Sequence, residues 1–422
     1  MNTAPSAPAP KAWEDRIQQS FSLPAGQVIK NRLMKSAMSE ALGTTDNHLT
    51  EGLITLYERW AGGGAGLLVS GNVMVDRKAL GEPNNVVIED EQDRDLLSAW
   101  ARAGTRNDTR LWIQLNHPGK QVPKGLNAEA VAPSAIPFHP SLRRFFETPR
   151  ELTGPEIEDI IERFGRSAEI VRKAGFSGVQ IHGAHGYLVS QFLSPHHNQR
   201  QDQWGGSADN RRRFLLEIFR RIRQGVGDDF PIGLKLNSAD FQRGGFSEEE
   251  SLEVIAALAA EGVDLVEISG GNYESPAMSG RKVAESTRKR EAYFLEFAEK
   301  VRKQVPVPLA VTGGFRTAAA MGKALADNSL DLIGLARPLA VDPDYPLKIM
   351  TGQPPEVTIR PISTGIKAVD KMALMEVAWY SRQLHRMARG KDPRPDESGL
   401  FSFLKTLARN GYRTFQTRRL RA

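Results

Sequence analysis

His182, His185 and Tyr187 fall within six residues, at the end of a short apolar run and inside a glycine-broken turn. Residues 178–181 read as a buried strand that ends at His182. Gly183 and Gly186 let the backbone turn sharply between the rings. Two imidazoles and a phenol leaving one strand end suit a site where an anionic oxygen is held and a proton delivered. Either histidine alone is equally an ordinary packed side chain. As metal ligands the pair lacks an H-E-x-x-H pattern, a third nearby ligand and any cysteine, so no metal is expected. His196 and His197 follow without an assigned role, and His48, His139 and His385 read as surface or packing residues. No G-x-S-x-G elbow supports a serine triad.

A site of this kind needs a frame, and the chain supplies a repeating one. After a small hairpin at 21–30, apolar strand patterns at 33–38, 66–71, 111–115, 178–181, 232–236, 264–268, 308–311 and 332–335 alternate with helical patterns. The helices are expected at 50–61, 91–105, 155–173, 208–224, 247–261, 287–304, 317–326 and 343–350. Thr50, Thr153 and Ser247 are candidate caps, and Glu250 completes a capping box with Ser247. The strands lack strict alternation, as expected where both faces are buried. Eightfold alternation of this length implies an α/β fold, a (β/α)8 TIM barrel with an N-terminal hairpin and a C-terminal helical extension. An open doubly wound sheet is the alternative, but no G-x-G-x-x-G and no P-loop is present. The expected boundaries are a disordered arm over 1–15, the barrel over 16–355, and a basic extension over 356–422 with a helix at 369–389.

In such barrels chemistry collects at the C-terminal strand ends. These carry Ala37-Met38-Ser39, Gly71-Asn72, Gln114 to His117, His182 with His185 and Tyr187, Lys235 and Asn237, Ser269-Gly270-Gly271, Gly313-Gly314, and Ala336-Arg337. The glycine pair and the arginine resemble a phosphate cradle, where N–H groups, a helix N-terminus and a guanidinium meet the charge. A tight turn and a surface ion pair are the alternative. Gln114 stands where an aliphatic residue is usual, and its amide suits a flat heterocycle with an imide edge. Lys235 would stabilise negative charge on a reduced ring. Equally, it could form a buried ion pair with an acid on a neighbouring strand.

Composition narrows the class. With 40% hydrophobic and 25% charged residues in 422, the chain is ordinary for a globular enzyme. The absence of cysteine excludes disulfides, thiolate metal sites and Cys-held iron–sulfur clusters, and is compatible with a cytoplasmic setting. No apolar run reaches membrane-spanning length, and the first ten residues lack a signal-peptide core. Net charge is +6, yet from Arg360 to Ala422 fourteen Lys/Arg stand against five Asp/Glu, leaving the body slightly acidic. That tail has no aromatic interleaving, so it reads as a solvated basic face without nucleic-acid binding.

The motifs, taken together, resemble the old yellow enzyme family of FMN-dependent NAD(P)H:flavin oxidoreductases and ene-reductases. The resemblance spans about 21–350 and rests on 31–39, 62–68, 114–117, 132–136, 174–211, 231–235, 312–316 and 335–338, in order on the expected strand ends. It implies that Ser36, Ala37, Met38, Ser39 and Gly71 line the flavin and that Gln114 bonds its pyrimidine edge. Lys235 stands where many relatives have Arg, near N1 and O2. Gly313, Gly314, Ala336 and Arg337 would hold the FMN phosphate. His182 and His185 would bind a carbonyl or nitro oxygen of a small electron-poor substrate. NAD(P)H would reduce FMN, which passes hydride to the β-carbon of an activated alkene, with Tyr187 as proton donor to the α-carbon. Ala37, Ser39 and Ala336 depart from the residues common there, and Glu40 and Ala41 lack the aromatic some branches place above the flavin. A non-flavin barrel isomerase or lyase, using the phosphate site and histidine acid–base chemistry, is the second reading. Relatives oligomerise through C-terminal segments, so a homo-oligomer is possible.

Overall fold

The computed structural model describes residues 12–272, 274, 291–353, 362–365, 374–406 and 408. A two-stranded hairpin, β1 (Phe21–Ser22) and β2 (Val28–Ile29), precedes β3 (Leu33–Lys35), β4 (Leu67–Met74) and β5 (Arg110–Asn116). A short parallel pair, β6 (Val131–Ala132) and β7 (Arg150–Glu151), lies in the long segment that follows. Then come β8 (Gly178–Gly183), β9 (Ile232–Asn237), β10 (Leu265–Ser269), β11 (Leu309–Thr312) and β12 (Leu332–Leu335). Strands β3, β4, β5, β8, β9, β10, β11 and β12 pair in parallel and close into a barrel, β12 against β3. The expected (β/α)8 architecture is therefore present, with its hairpin and a helix beyond the barrel.

The barrel interior is built in two layers. The lower one is apolar: Met34, Leu67, Val69, Trp112, Leu265, Ala310 and Leu332 pack together with Leu23 and Ile29 of the hairpin. The hairpin thus plugs the N-terminal end, tied there by Ala25 N–H to Asp264 Oδ1 at 2.8 Å. Trp112 fits because glycines face it: a Cβ on Gly178 would stand 2.5 Å from its indole, and one on Gly233 2.7 Å. Side chains two residues apart on a strand share a face. Two residues beyond that floor come Ser36, Gln114, Gln180, Lys235, Glu267 and Thr312, which form a polar second layer nearer the mouth.

Outside the strands, a larger apolar cluster joins them to the helices. Ser247 with Glu250 forms the expected capping box, and Thr153, expected as a cap, forms a second one with Glu156. Thr50 departs from expectation. It precedes the helix Glu51–Gly62, but its hydroxyl donates to Leu42 O at 2.7 Å and makes no cap bond. Strand β3 ends at Lys35, short of Met38, and beyond it Met38 O and Glu40 lie against Gly71 of β4. The expected helix over 287–304 is observed as Leu295–Gln304, with 287–290 outside the described residues. Ala12–Gln18 is helical within the expected arm, whose first eleven residues lie outside the described ones. The helix expected at 369–389 runs Leu374–Met387, with 369–373 likewise outside. It packs against Arg337–Val341 and Glu51–Gly62. Among the described residues no helix is long and apolar enough to cross a membrane.

Candidate active site

The second barrel layer is a connected hydrogen-bond network. Lys235 Nζ donates to Glu267 Oε1 at 2.8 Å. Thr312 Oγ1 donates to the same oxygen at 2.6 Å, and Ser36 Oγ joins Thr312 at 2.6 Å. Gln180 Nε2 donates to Glu267 Oε2 at 2.8 Å, and Gln114 Nε2 to Gln180 Oε1 at 2.7 Å. Glu267 is fully buried. Burial opposes its charge, but the Lys235 ammonium and three donors outweigh that and hold its carboxyl below the ordinary range. The ion-pair alternative for Lys235 is thus realised, on the adjacent strand and in direct register. Gln180, Glu267 and Thr312 were not singled out in the sequence. The signal was available, since each is polar at the inward phase of a barrel strand, like Gln114.

Above this layer stand the three rings. His182 meets His185 edge-on at 5.3 Å between centroids, and Tyr187 at 4.8 Å. The strand expected over 178–181 continues two residues further, through His182 to Gly183. Ala184 N–H donates to His182 Nδ1 at 3.4 Å, so a neutral imidazole carries its proton on Nε2. His185 is held in left-handed backbone, φ 62°, a conformation rare outside glycine. Asn237 Oδ1 accepts its N–H at 3.2 Å, Gln121 Nε2 donates to its carbonyl at 3.1 Å, and Ser269 Oγ meets its Nε2 at 2.8 Å. Strain held by several partners is typical of functional sites. Burial, then His185 and Lys235, push the His182 pKa well down. Burial, then Lys235, push His185 down to about 3 against the opposing pull of Glu267. Both rings are therefore neutral near pH 7.

Two further amides present unbonded polar atoms to this region. Asn116 is 1% exposed, and neither its Oδ1 nor its Nδ2 is hydrogen-bonded. It lies two residues beyond Gln114 on β5, on the same face and closer to the mouth. Gln121 Oε1 is likewise buried and unbonded. A buried amide left unmatched costs free energy unless a ligand satisfies it.

The loop leaving β3 and the bulge in β4 form one wall. Ala37 packs on the barrel floor cluster, and Met38 on the outer core. The Ser39 hydroxyl donates to the Glu82 carboxylate. Glu40, at the position where some branches place an aromatic above the flavin, turns into the protein, where Lys35, Tyr57 and Gly71 surround it. The C-terminal helix reaches this wall. Ser381 Oγ donates to Ser39 O at 3.0 Å, and His385 Nε2 donates to Glu40 O at 2.6 Å. His385 is therefore more than a packing residue, and the extension more than an appended tail.

On the next pair of strands, Gly313 and Gly314 follow β11 with φ of 116° and 99°, and Ala336 and Arg337 follow β12. Gly314 has no room for a Cβ, which would overlap Glu291 O. The nearby helix Ala318–Ala326 is not open to a phosphate. Glu291 accepts from Arg316 N, Thr317 N and Thr317 Oγ1 at its start. What stays open at this end of the barrel as a candidate anion cradle is the glycine pair with the turn at Arg337. Arg337 Nη1 lies 3.8 Å from Glu376 of the C-terminal helix.

A parallel barrel that sets inward amides and an ammonium-bearing side chain beneath paired histidines, with paired glycines following β11, presents donors suited to a planar, negatively charged ligand. The comparisons agree. The NADH:flavin oxidoreductase / NADH oxidase family matches residues 24–356, and the chain belongs to it, within the old yellow enzyme class. It is 36% identical over 354 residues to the NADH-dependent flavin oxidoreductase iliE of Hypocrea jecorina, covering 78% of this chain and 88% of that one. It is 34% identical over 411 residues to the NADH-dependent flavin oxidoreductase iccE of Talaromyces variabilis, covering 88% and 98%. Among solved structures, the old yellow enzyme homologue of Zymomonas mobilis aligns with a TM-score of 0.68 at 22% identity, over 80% of this chain and 93% of that chain. A 2-naphthoyl-CoA reductase complex aligns at 0.76 and 25% identity, over 88% of this chain but only 58% of that larger one. The protein is an FMN-dependent oxidoreductase with NAD(P)H as reductant, and the non-flavin isomerase reading is set aside.

Proposed function

We propose that the enzyme reduces the C=C bond of small electron-poor alkenes, enones or nitroalkenes. The observation that carries this reading is the trio of rings above the amide–ammonium layer. FMN, when bound, supplies the hydride taken from NAD(P)H. Ser36, Ala37, Met38, Ser39, Gly71, Gln114 and Lys235 line it in this reading, while Gly313, Gly314, Ala336 and Arg337 hold its phosphate. The substrate oxygen sits between His182 and His185. His182 donates from Nε2, and both rings, being neutral, bind the oxygen as dipoles that strengthen as negative charge develops there. Tyr187, in ring contact with His182, gives its proton to the α-carbon as hydride reaches the β-carbon. The C=C π bond is consumed and two C–H bonds form. The orphaned amide of Asn116 adds a polar contact for the ligand above Gln114.

The test separates the half-reactions without oxygen. Reduced enzyme is offered enones, nitroalkenes, nitrate esters and quinones, and its reoxidation is followed by the return of yellow colour. Tyr187→Phe should slow reoxidation by alkenes about a hundredfold or more, the usual range for a positioned acid. Reduction by NAD(P)H should be nearly unchanged. Equal loss in both halves removes the proton-donor role, and reoxidation by quinones alone removes the alkene assignment.

A further inference from the structure

Three pieces of the proposed flavin wall meet at one buried carboxylate. Lys35 ends β3, Glu40 ends the loop that follows, and residues 36–39 lie between them. The Lys35 side chain runs outward to the helix Glu51–Gly62. Its Nζ lies 4.3 Å over the Trp60 ring, donates to Val69 O at 2.7 Å and to Tyr57 OH at 3.3 Å, and pairs with Glu40 Oε1 at 3.4 Å. The two side chains are 0% and 7% exposed. The same Glu40 oxygen accepts the Tyr57 hydroxyl and the Gly71 N–H, the latter at 3.1 Å. Gly71 sits where the register of β4 on β5 breaks, between Val69 and Asn72. A Cβ there would stand 2.6 Å from Met38 O and 2.9 Å from Glu40 Cδ, so loop and bulge are in direct contact.

Buried ion pairs are poor devices for stability, because desolvation consumes most of the Coulomb gain. Apolar residues would fill the same space at no loss. What the charges add here is a fixed geometry: one oxygen sets the end of the loop, the bulge and the helix at mutual hydrogen-bond distance. Burial lowers the Lys35 pKa to about 8, with Glu40 opposing and Lys235 and Glu267, across the barrel wall, acting in opposite senses. Lys35 is thus charged at neutral pH and the clamp closed. From the outer side, Ser381 and His385 hold the Ser39 and Glu40 carbonyls.

We propose that Lys35, Glu40 and Tyr57 are positioning residues for FMN, a clamp that fixes the spacing between the 36–39 loop and Gly71 without touching cofactor or substrate. This rests on the placement of the flavin against those residues given above. The test compares wild type, Lys35→Met, Glu40→Gln, Tyr57→Phe and the double variant Lys35→Met/Glu40→Gln. FMN affinity is read from flavin fluorescence released on diluting the holoenzyme, together with the flavin absorption spectrum. Each charge-breaking single variant should weaken FMN binding about tenfold or more and shift the visible band, since one buried charge is left unpaired. The double variant, neutral and still able to accept from Gly71 and Tyr57, should recover to within about threefold, a coupling that only a shared interaction produces. Tyr57→Phe removes one hydroxyl from an intact core, and a weakening of about two- to fivefold is expected there even if the single charge variants do not fold. Wild-type affinity and an unshifted band in Tyr57→Phe and in every folded single variant overturn the proposal, whatever their melting temperatures. A double variant as weak as the singles does the same. Arg337→Met is the control for placement. If it too leaves FMN binding unchanged, the placement of the cofactor against these residues fails; if it alone weakens binding, only the clamp fails.

Discussion

Replacing Lys235 by Met should make the apoprotein strongly and pH-dependently less stable. The ammonium lies 2.8 Å from Glu267, whose side chain is fully buried. At an effective dielectric of about 20 the pair interacts by about 6 kcal/mol. Part of that offsets the desolvation of Lys235 itself, which the variant no longer suffers. The measured loss on removing one partner of such a pair is about 3–5 kcal/mol. Gln180 and Thr312 still donate to the carboxylate, which places the expectation at the lower end. The sign with pH follows from linkage. In the wild type Glu267 is held below its ordinary value, so the folded protein binds its proton more weakly than the unfolded chain. That contribution is complete above the unfolded value and is lost as pH falls through the folded one. Without Lys235, burial dominates and the carboxyl rises above its ordinary value. The folded variant then binds the proton more tightly than the unfolded chain, and its deficit shrinks as pH falls. Guanidinium unfolding of wild type, Lys235→Met and Lys235→Met/Glu267→Gln at pH 8 and pH 5 reads this directly. The single variant should be about 3 kcal/mol less stable at pH 8 and clearly less affected at pH 5, with the double largely restored. A deficit under about 1 kcal/mol at pH 8, or one that does not change with pH, refutes the reasoning.

Asn116→Leu should raise apoprotein stability by about 1 kcal/mol, because it removes an unmatched buried amide, and should weaken ligand binding at the mouth; unchanged substrate KM and FMN affinity would count against a ligand contact. Gly71→Ala should destabilise by about 1–3 kcal/mol, since a methyl cannot fit between Met38 O and Glu40, and should loosen FMN, both seen by thermal melts with and without added cofactor. Burial, partly opposed by Asp76, pushes His117 down to about 4. Because the unfolded chain takes up that proton first, His117 contributes stability that is complete above about 6.5 and declines by about 3 kcal/mol as pH falls to about 4. His117→Gln should flatten that part of the acid-unfolding profile, and an unaltered profile would show the group titrates normally.

The barrel was legible because its signals are local. Each strand is a short apolar run with turn residues beyond it, and helix starts such as Ser247 with Glu250 carry their own caps. The strand ends then followed from topology, which is why His182, Gln114 and Lys235 could be named together. The partner of Lys235 could not. A buried acid somewhere on a neighbouring strand was foreseeable, but Glu267 is identified only by the register that sets it opposite Lys235. Gln180 shows a different limit. It carries the same inward polar signal as Gln114, but inward polarity alone does not separate a residue that meets a ligand from one that hydrogen-bonds a buried acid.

Glu40 marks where local reading stops. By position it belongs to the mouth of the barrel, just after residues that line the proposed flavin wall. Its direction is decided by a lysine five residues back that must be neutralised and by two partners more distant in sequence, a tyrosine on the helix Glu51–Gly62 and a bulge on β4 that turns the Gly71 N–H toward it. The same holds for the C-terminal helix. Its composition reads as a basic appendage, yet Ser381 and His385 grip the backbone of that very loop from 342 and 345 residues away. The three rings are therefore encoded in one contiguous stretch, whereas the wall proposed to hold the cofactor is assembled from β3, β4 and the helix Leu374–Met387. A substitution near the C-terminus should accordingly alter flavin retention before it alters the chemistry at Tyr187.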